Sequence, residues 1–300
     1  MLERLRDLKQ DIREKVRVSV RAAVEMVTPA PKQLDRGPLS SGRAFCDPAS
    51  KKACVTVCTP RGDCSCDAAA LRESLEKALQ EHGLEIKVGE AKTGCSGTCS
   101  QGPFLGFPQK GFFYLGVPPQ AAAEVVRETL VKGRLLFPYL SINPDRSYRP
   151  DILYDRFSGL LAAIDESVCM VEVAKYFLDF EEGLSCGKCV PCRLGIRRMA
   201  ESLERIVGGR ATMDDLEQLG ILCETMIYAP FCQFAMASTK PVLSAITYFK
   251  EEFLEHIEKK ECRAGVCQAL VEFQRKKAFR ERMVAKKKKP SEAALQGADP

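Results

Sequence analysis

The chain has 300 residues, of which 45% are hydrophobic and 28% charged, with a net charge of +5. That suffices for roughly two domains of ordinary soluble composition, and the mild positive charge, gathered in the C-terminal tail, gives no ground for nucleic-acid binding. The 15 cysteines are the unusual feature: odd in number, tightly clustered and not preceded by a signal-peptide core, they argue against a secreted disulfide framework and for metal-bound thiolates in a reducing, cytoplasmic compartment.

In chain order, residues 1–28 read as an amphipathic helix, with Leu5, Leu8, Ile12, Val16, Val20 and Val24 at helical spacing among charged residues. It is either a helix lying on its own domain or an arm that docks on another subunit. Glu3, Asp7, Asp11 and Glu14 speak against a transit peptide, which would be poor in acids. Pro29 to Gly42 is linker, so residues 1–44 form an N-terminal helix and linker.

Residues 45–140 alternate strand and helix. Strands are expected at 55–58, 84–88 and 112–116, and helices at 68–82, with Leu71, Leu75 and Leu79 on one face, and at 119–132, burying Val125, Val126 and Leu130. This order is compatible with a small thioredoxin-like α/β domain. Residues 141–165 read as a connector. From 166 to 274 the pattern is helical, with faces at Val168–Leu178, Ile196–Ile206, Leu216–Met226 and Val242–Ile257. Thr212 is a candidate N-cap with Asp215 three residues on. Four such helices with short connections suggest a small four-helix bundle. The expected fold class is therefore multi-domain α+β. Residues 275–300 read as a basic, poorly ordered tail. No apolar run reaches the ~18–20 residues of a membrane span.

Three cysteine constellations carry chemistry. Cys186, Cys189 and Cys192 form a Cys-x-x-Cys-x-x-Cys run, and Cys232 supplies a distant fourth thiolate. Four soft ligands, one per iron, suit a [4Fe–4S] cluster. Lys188 and Arg193 flank the run. They are either solvated surface charges or a cationic shell that raises the cluster's potential. Cys58 and Cys64 with Cys95 and Cys99 make two pairs on two loops, which suits a [2Fe–2S] cluster, although Cys66 competes with Cys64 and a four-cysteine zinc site is the rival. Cys262, Cys267 and His256 are one ligand short of tetrahedral zinc, and Cys169 could complete a closed, structural site. Cys46 and Cys54 read as spare or packing thiols, and Cys223 as core.

The stretch Glu182-Gly-Leu-Ser-Cys-Gly-Lys-Cys-Val-Pro-Cys-Arg-Leu-Gly195 with Cys232 resembles the iron–sulfur helical domain of the NADH-oxidising flavoprotein subunit of respiratory complex I. Asp165-Glu-Ser-Val-Cys169-Met-Val171 and Cys262-Arg-Ala-Gly-Val-Cys267 make the match closer to the corresponding subunits of NAD-linked electron-bifurcating hydrogenases. The resemblance implies a [4Fe–4S] cluster on Cys186, Cys189, Cys192 and Cys232, and zinc on Cys169, His256, Cys262 and Cys267. Residues 54–140, above all Thr93 to Pro103, resemble the thioredoxin-like [2Fe–2S] domain at the front of those subunits. The family has four residues between the first two ligands, and here Cys58 and Cys64 have five between them. The family's flavin- and NADH-binding domain has no counterpart between the two segments, and no Gly-x-Gly-x-x-Gly or Walker A loop occurs. Neither FMN nor NAD is therefore expected on this chain.

The expected function is an electron-transfer subunit of an oxidoreductase complex, with no catalytic residues of its own. It would relay single electrons between clusters and a partner subunit: a flavoprotein holding FMN or NAD(H), or a hydrogenase or dehydrogenase subunit. The alternative is a zinc-stabilised scaffold without a redox role.

Overall fold

In the computed structural model, the described residues are 45–59, 64, 66–97, 101–142, 149–156, 158–228 and 232–295. The expected helix at 1–28 and its linker lie outside them, as does Cys99. Residues 44–300 form one compact unit.

Its centre is a six-stranded mixed sheet in the order β4-β3-β1-β2-β6-β5. The strands are β1 (Val55–Cys58), β2 (Val88–Gly94), β3 (Leu105–Phe107), β4 (Phe112–Tyr114), β5 (Ile152–Tyr154) and β6 (Leu161–Ala163). β1 and β2 run parallel, with Val55 opposite Val88 and Cys58 opposite Ala91. The crossover is helix α1 (Ala68–Glu81), which buries Leu71, Leu75 and Leu79 at i, i+4, i+8. Every other pairing is antiparallel. The helical run α2 spans Pro119–Ala121, Ala122–Glu124 and Val125–Val131.

Strand alternation divides the core in two. Val55, Val57, Leu105, Phe107 and Tyr114 face α1 and α2, meeting Leu71, Leu75, Val125, Val126 and Leu130. Ala91, Phe104, Phe113 and Leu161 belong to a second cluster that runs into the C-terminal helices. Each fully buried leucine or phenylalanine contributes about 1.5–3 kcal/mol relative to exposure.

Those helices are α3 (Met170–Leu184), α4 (Arg197–Val207), α5 (Met213–Tyr228), α6 (Gln233–Tyr248), α7 (Lys250–Leu254) and α8 (Gln268–Leu295). α3 packs on α4 and α6, and α5 packs on α4 and α6. The contact faces are the periodic ones: Met170, Val171, Ala174 and Leu178 on α3, Met199, Leu203 and Ile206 on α4, and Leu216, Leu219, Cys223 and Met226 on α5. At the start of α5, Asp215 Oδ2 accepts the Thr212 N–H at 2.8 Å, and Arg205 Nε donates to Asp215 Oδ1 at 2.8 Å.

Several segments differ from expectation. β2 lies at Val88–Gly94, later than the strand expected at 84–88. The segment 141–165, read as a connector, supplies β5 and β6, with β6 paired to β2 so that Thr93 faces Ala162. Three-residue strands are too short for periodicity to reveal. Helix α8 continues to Leu295 through the stretch read as poorly ordered tail. Its Ala, Lys, Arg and Glu residues are strong helix formers, and Leu270 anchors its first turns in the core. Cys46 and Cys54 are joined as a disulfide, with Cα atoms 5.5 Å apart.

Candidate metal centres

Cys186 and Cys189 lie on the loop after α3, and Cys192 on the wide (i→i+5) turn Pro191–Ile196 that leads into α4. Such turns rotate side chains off the regular helical face and concentrate at functional sites. Gly187 takes φ +64°, a conformation costly for a residue with a Cβ, and its N–H donates to Ser185 Oγ at 3.3 Å. The Arg193 N–H donates to the Cys189 carbonyl at 3.0 Å, and Arg193 Nη1 to the Gly187 carbonyl at 3.4 Å, so the loop is held from behind by its own helix. Cys232 is the N-cap of α6 in extended conformation.

The other three cysteines bear on Cys192. The Cys192 thiol is pushed up to about 11, first by burial, then by a hydrogen bond with Cys189 and by the charges of Cys189, Cys232 and Cys186. Cys189 and Cys192 are buried, whereas Cys186 and Cys232 are exposed. A buried thiol with three sulfurs around it favours ionisation only beside a cationic centre, and this four-cysteine donor set fits an iron–sulfur cluster. Lys188 and Arg193 are both exposed.

Cys58 ends β1, and Cys95 follows β2. Because the strands are parallel, both sulfurs stand at the same end of the sheet. Both are buried; Cys58 Sγ accepts the Phe104 N–H at 3.5 Å, and Cys95 Sγ the Gly97 N–H at 3.3 Å. Amide donors of this kind stabilise a thiolate and tune whatever it binds. Cys64 and Cys66 are both half-buried on the following loop.

The third constellation comes together from three elements. Cys169 is the N-cap of α3, His256 lies on the wide turn Glu255–Lys259 that extends α7, and Cys262 and Cys267 precede α8. Their four ligand atoms all lie within 4.8 Å of one another. Cys169 Sγ is 3.3 Å from His256 Nε2 and 3.8 Å from Cys267 Sγ, and His256 Nε2 is 3.4 Å from Cys267 Sγ. A tetrahedral ion with metal–sulfur bonds of about 2.3 Å and metal–nitrogen bonds of about 2.0–2.1 Å separates two sulfurs by about 3.8 Å, and sulfur from nitrogen by about 3.5 Å. A cubane, which takes each cysteine on a different iron, would hold the sulfurs much farther apart. The set therefore fits a single ion.

The ring of His256 is aimed by its other nitrogen. Nδ1–H donates to the Glu252 carbonyl at 2.7 Å, which leaves Nε2 facing the thiols. Burial lowers the affinity of His256 for a second proton, but hydrogen bonds to the sulfurs of Cys169 and Cys262 and their charges outweigh it, so its pKa rises to about 10. Hydrogen bonds received from its neighbours Cys169 and Cys267 pull the Cys262 thiol down, and hydrogen bonds that Cys267 donates to Cys169 and Cys262 push its own thiol up. Cys223 stands apart, fully buried with its Sγ 3.6 Å from Met199 Sδ.

Two residues at this site were not singled out from the sequence. Lys92 of β2 and Glu252 of α7 are buried and paired at 2.9 Å. The only local hint was Glu252 standing one helical turn before His256. Among the described residues no helix is long and apolar enough to cross a membrane.

Comparison with known proteins places one of these regions. Residues 172–256 match the model of the NADH-ubiquinone oxidoreductase-F iron–sulfur binding region. The chain is 41% identical over 116 residues to the NADP-reducing hydrogenase subunit HndC of Solidesulfovibrio fructosivorans, covering 39% of this chain and 24% of that one. It is 37% identical over 105 residues to an F-type subunit of the NADH-quinone oxidoreductase of Rhizobium meliloti, covering 35% of this chain and 25% of that one. A crystal structure of an NAD+-reducing [NiFe]-hydrogenase in the H2-reduced state matches 32% of this chain and 16% of that one, at 32% identity and a TM-score of 0.31. The chain thus spans about a quarter of the length of these curated relatives. The matched family region contains Cys186, Cys189, Cys192, Cys232 and His256. Residues 172–256 of this chain are therefore similar to the iron–sulfur binding region of NADH-ubiquinone oxidoreductase-F.

Proposed function

We propose that this chain is an iron–sulfur electron-transfer subunit of a multi-subunit oxidoreductase complex. The observation that carries the reading is that Cys186, Cys189 and Cys232 all bear on the buried Cys192, within the residues that match the family's iron–sulfur binding region. A [4Fe–4S] cluster bound there would supply reversible one-electron storage. Cys189 and Cys192 would hold it from the buried side, while exposed Cys186 and Cys232 would leave one edge open to a partner. The Gly187 turn and the Arg193 hydrogen bonds would fix the ligand loop in place around it.

Cys58, Cys64, Cys95 and Cys99 are the proposed ligands of a [2Fe–2S] cluster, in what we read as a thioredoxin-like α/β domain. The N–H donors at Cys58 and Cys95 support that reading. The helices α3 to α6 are read as a four-helix bundle, supported by their neighbour contacts. Cys169, His256, Cys262 and Cys267 are assigned to zinc, which would be structural because four protein ligands leave no open position. Partner subunits would carry flavin with NAD(H), or a hydrogenase or dehydrogenase site; relatives named as an NADP-reducing hydrogenase subunit and an NADH-quinone oxidoreductase subunit support a redox complex of that class. One-electron transfer between clusters requires no general acid, base or nucleophile from this chain.

Anaerobic purification tests the proposal. The expected protein is brown, bleaches with dithionite, and gives low-temperature EPR signals of both cluster types. A colourless protein holding zinc in all three sites would instead make it a scaffold.

A further inference from the structure

Lys92 and Glu252 are 160 residues apart in sequence and meet at 2.9 Å, with side chains only 5% and 8% exposed. Each makes a second contact. Lys92 Nζ donates to the Val168 carbonyl at 2.7 Å, and Glu252 Oε2 accepts the Met170 N–H at 3.0 Å. Cys169 stands between those two backbone groups. The backbone carbonyl of Glu252 also takes the Nδ1–H of His256 at 2.7 Å. One ion pair therefore grips the main chain on both sides of Cys169 and, through its own helix, aims the ring of His256.

Three roles compete. A solvated surface pair is excluded by the burial. Charge compensation is excluded by the neighbours: three thiolates around a divalent ion leave one negative charge, but Lys92 already faces Glu252, and Glu166 at 3.5 Å, so it brings no net positive charge. Stability alone is a weak reason, because a buried ion pair can often be replaced by apolar side chains at no loss. What apolar replacements cannot supply is the pair of hydrogen bonds to residues 168 and 170.

We propose that Lys92 and Glu252 are the positioning pair of the single-ion site, holding Cys169 and His256 at the spacing an ion requires. Lys92 lies on β2, three residues before Cys95, which follows the strand's end, so the pair also ties that site to the strand leading to the proposed [2Fe–2S] cluster. The inference rests on the zinc assignment made above.

The test uses the full chain reconstituted with iron, sulfide and zinc. Zinc affinity is measured by competition with a chromogenic chelator for wild type, Lys92→Met, Glu252→Gln and the double variant Lys92→Met/Glu252→Leu. Thermal midpoints and the [4Fe–4S] EPR signal are recorded alongside. Wild type is expected to hold one zinc, and each variant to bind it about 10–100-fold more weakly, the usual cost of losing an outer-shell partner, with the [4Fe–4S] signal unchanged. The double variant is expected to recover the thermal midpoint lost in Lys92→Met without recovering zinc affinity, which separates positioning from stability. If Lys92→Met does not fold, the double variant carries the comparison. Wild-type zinc affinity in the double variant overturns the positioning role and leaves the zinc site standing. A wild-type chain that takes up no zinc overturns both.

Discussion

Gly94, the last residue of β2, lies so close to Tyr248, the last residue of α6, that a Cβ added at Gly94 would stand 2.8 Å from the Tyr248 Cβ. It would also stand 2.9 Å from the Leu161 carbonyl oxygen and 2.9 Å from Phe249 Cε2. Sheet and helices therefore meet at this point with no room for a side chain, one residue before Cys95. The neighbours are a strand carbonyl, a Cβ fixed to its own backbone and a buried ring, and none of them can swing away.

Gly94→Ala should therefore force the seam apart. Overpacking of this kind costs about 1–3 kcal/mol, which for a domain of this size is roughly 2–12 °C in thermal midpoint. Because Cys95 is the next residue, the proposed [2Fe–2S] signal should weaken while the [4Fe–4S] signal, whose ligands lie on other loops, holds. Calorimetry with EPR on the same sample checks this; an unchanged midpoint would show that the seam has slack.

Cys192 and Cys223 are both buried thiols with raised pKa values, yet they should respond oppositely to removal. Cys192 is surrounded by Cys186, Cys189 and Cys232, whereas Cys223 touches a methionine sulfur. Cys192→Ala is expected to abolish the [4Fe–4S] signal. Cys223→Ala should keep full iron and acid-labile sulfide and cost only about 1 kcal/mol or so of packing. Iron loss in the Cys223 variant would mean that the ligand set has been wrongly drawn.

The parts legible in the sequence were those written locally. The Leu71–Leu75–Leu79 stripe gave α1, and the Met199–Leu203–Ile206 stripe gave α4. The cysteine runs were legible because several thiols crowded onto one short loop suit metal ligation and little else. Cys169 and His256 could be grouped with Cys262 and Cys267 because metal ligands are chemically distinctive even when far apart. What stayed hidden was non-local or short. β2 carries Glu90 and Lys92 in mid-strand, and a lysine is read as surface unless its buried partner is known; that partner lies on α7. β5 and β6 are three residues each, joined by a turn that Asp155 closes by accepting from Ser158 Oγ at 2.6 Å. Neither segment is long enough to declare a period.

Cys64 and Cys66 compete for the second position of the [2Fe–2S] set, and both are half-buried on the same loop. The assignment to Cys64 predicts that Cys64→Ala removes the [2Fe–2S] signal and that Cys66→Ala leaves it. Iron stoichiometry and EPR of the two variants decide the matter, and the opposite pattern would reassign the ligand to Cys66.

Alkaline stability offers a test of the core that does not depend on any cluster. Burial holds the Cys223 thiol up at about 12, with the charge of Glu224 adding to the effect. In the unfolded chain the same thiol ionises near the usual value of about 8.5. Below that pH both states keep the proton, and Cys223 adds nothing to the pH dependence. Above it the unfolded state releases a proton that the folded state retains, so stability falls as pH rises toward 12, by at most about 1.4 kcal/mol per pH unit from this one group. Removing the thiol removes that term. Thermal midpoints measured from pH 8 to 10.5 should therefore decline less steeply in Cys223→Ala than in wild type, even though the variant starts lower. Parallel declines would show that Cys223 reaches solvent and ionises within the folded chain, contrary to its burial between α4 and α5.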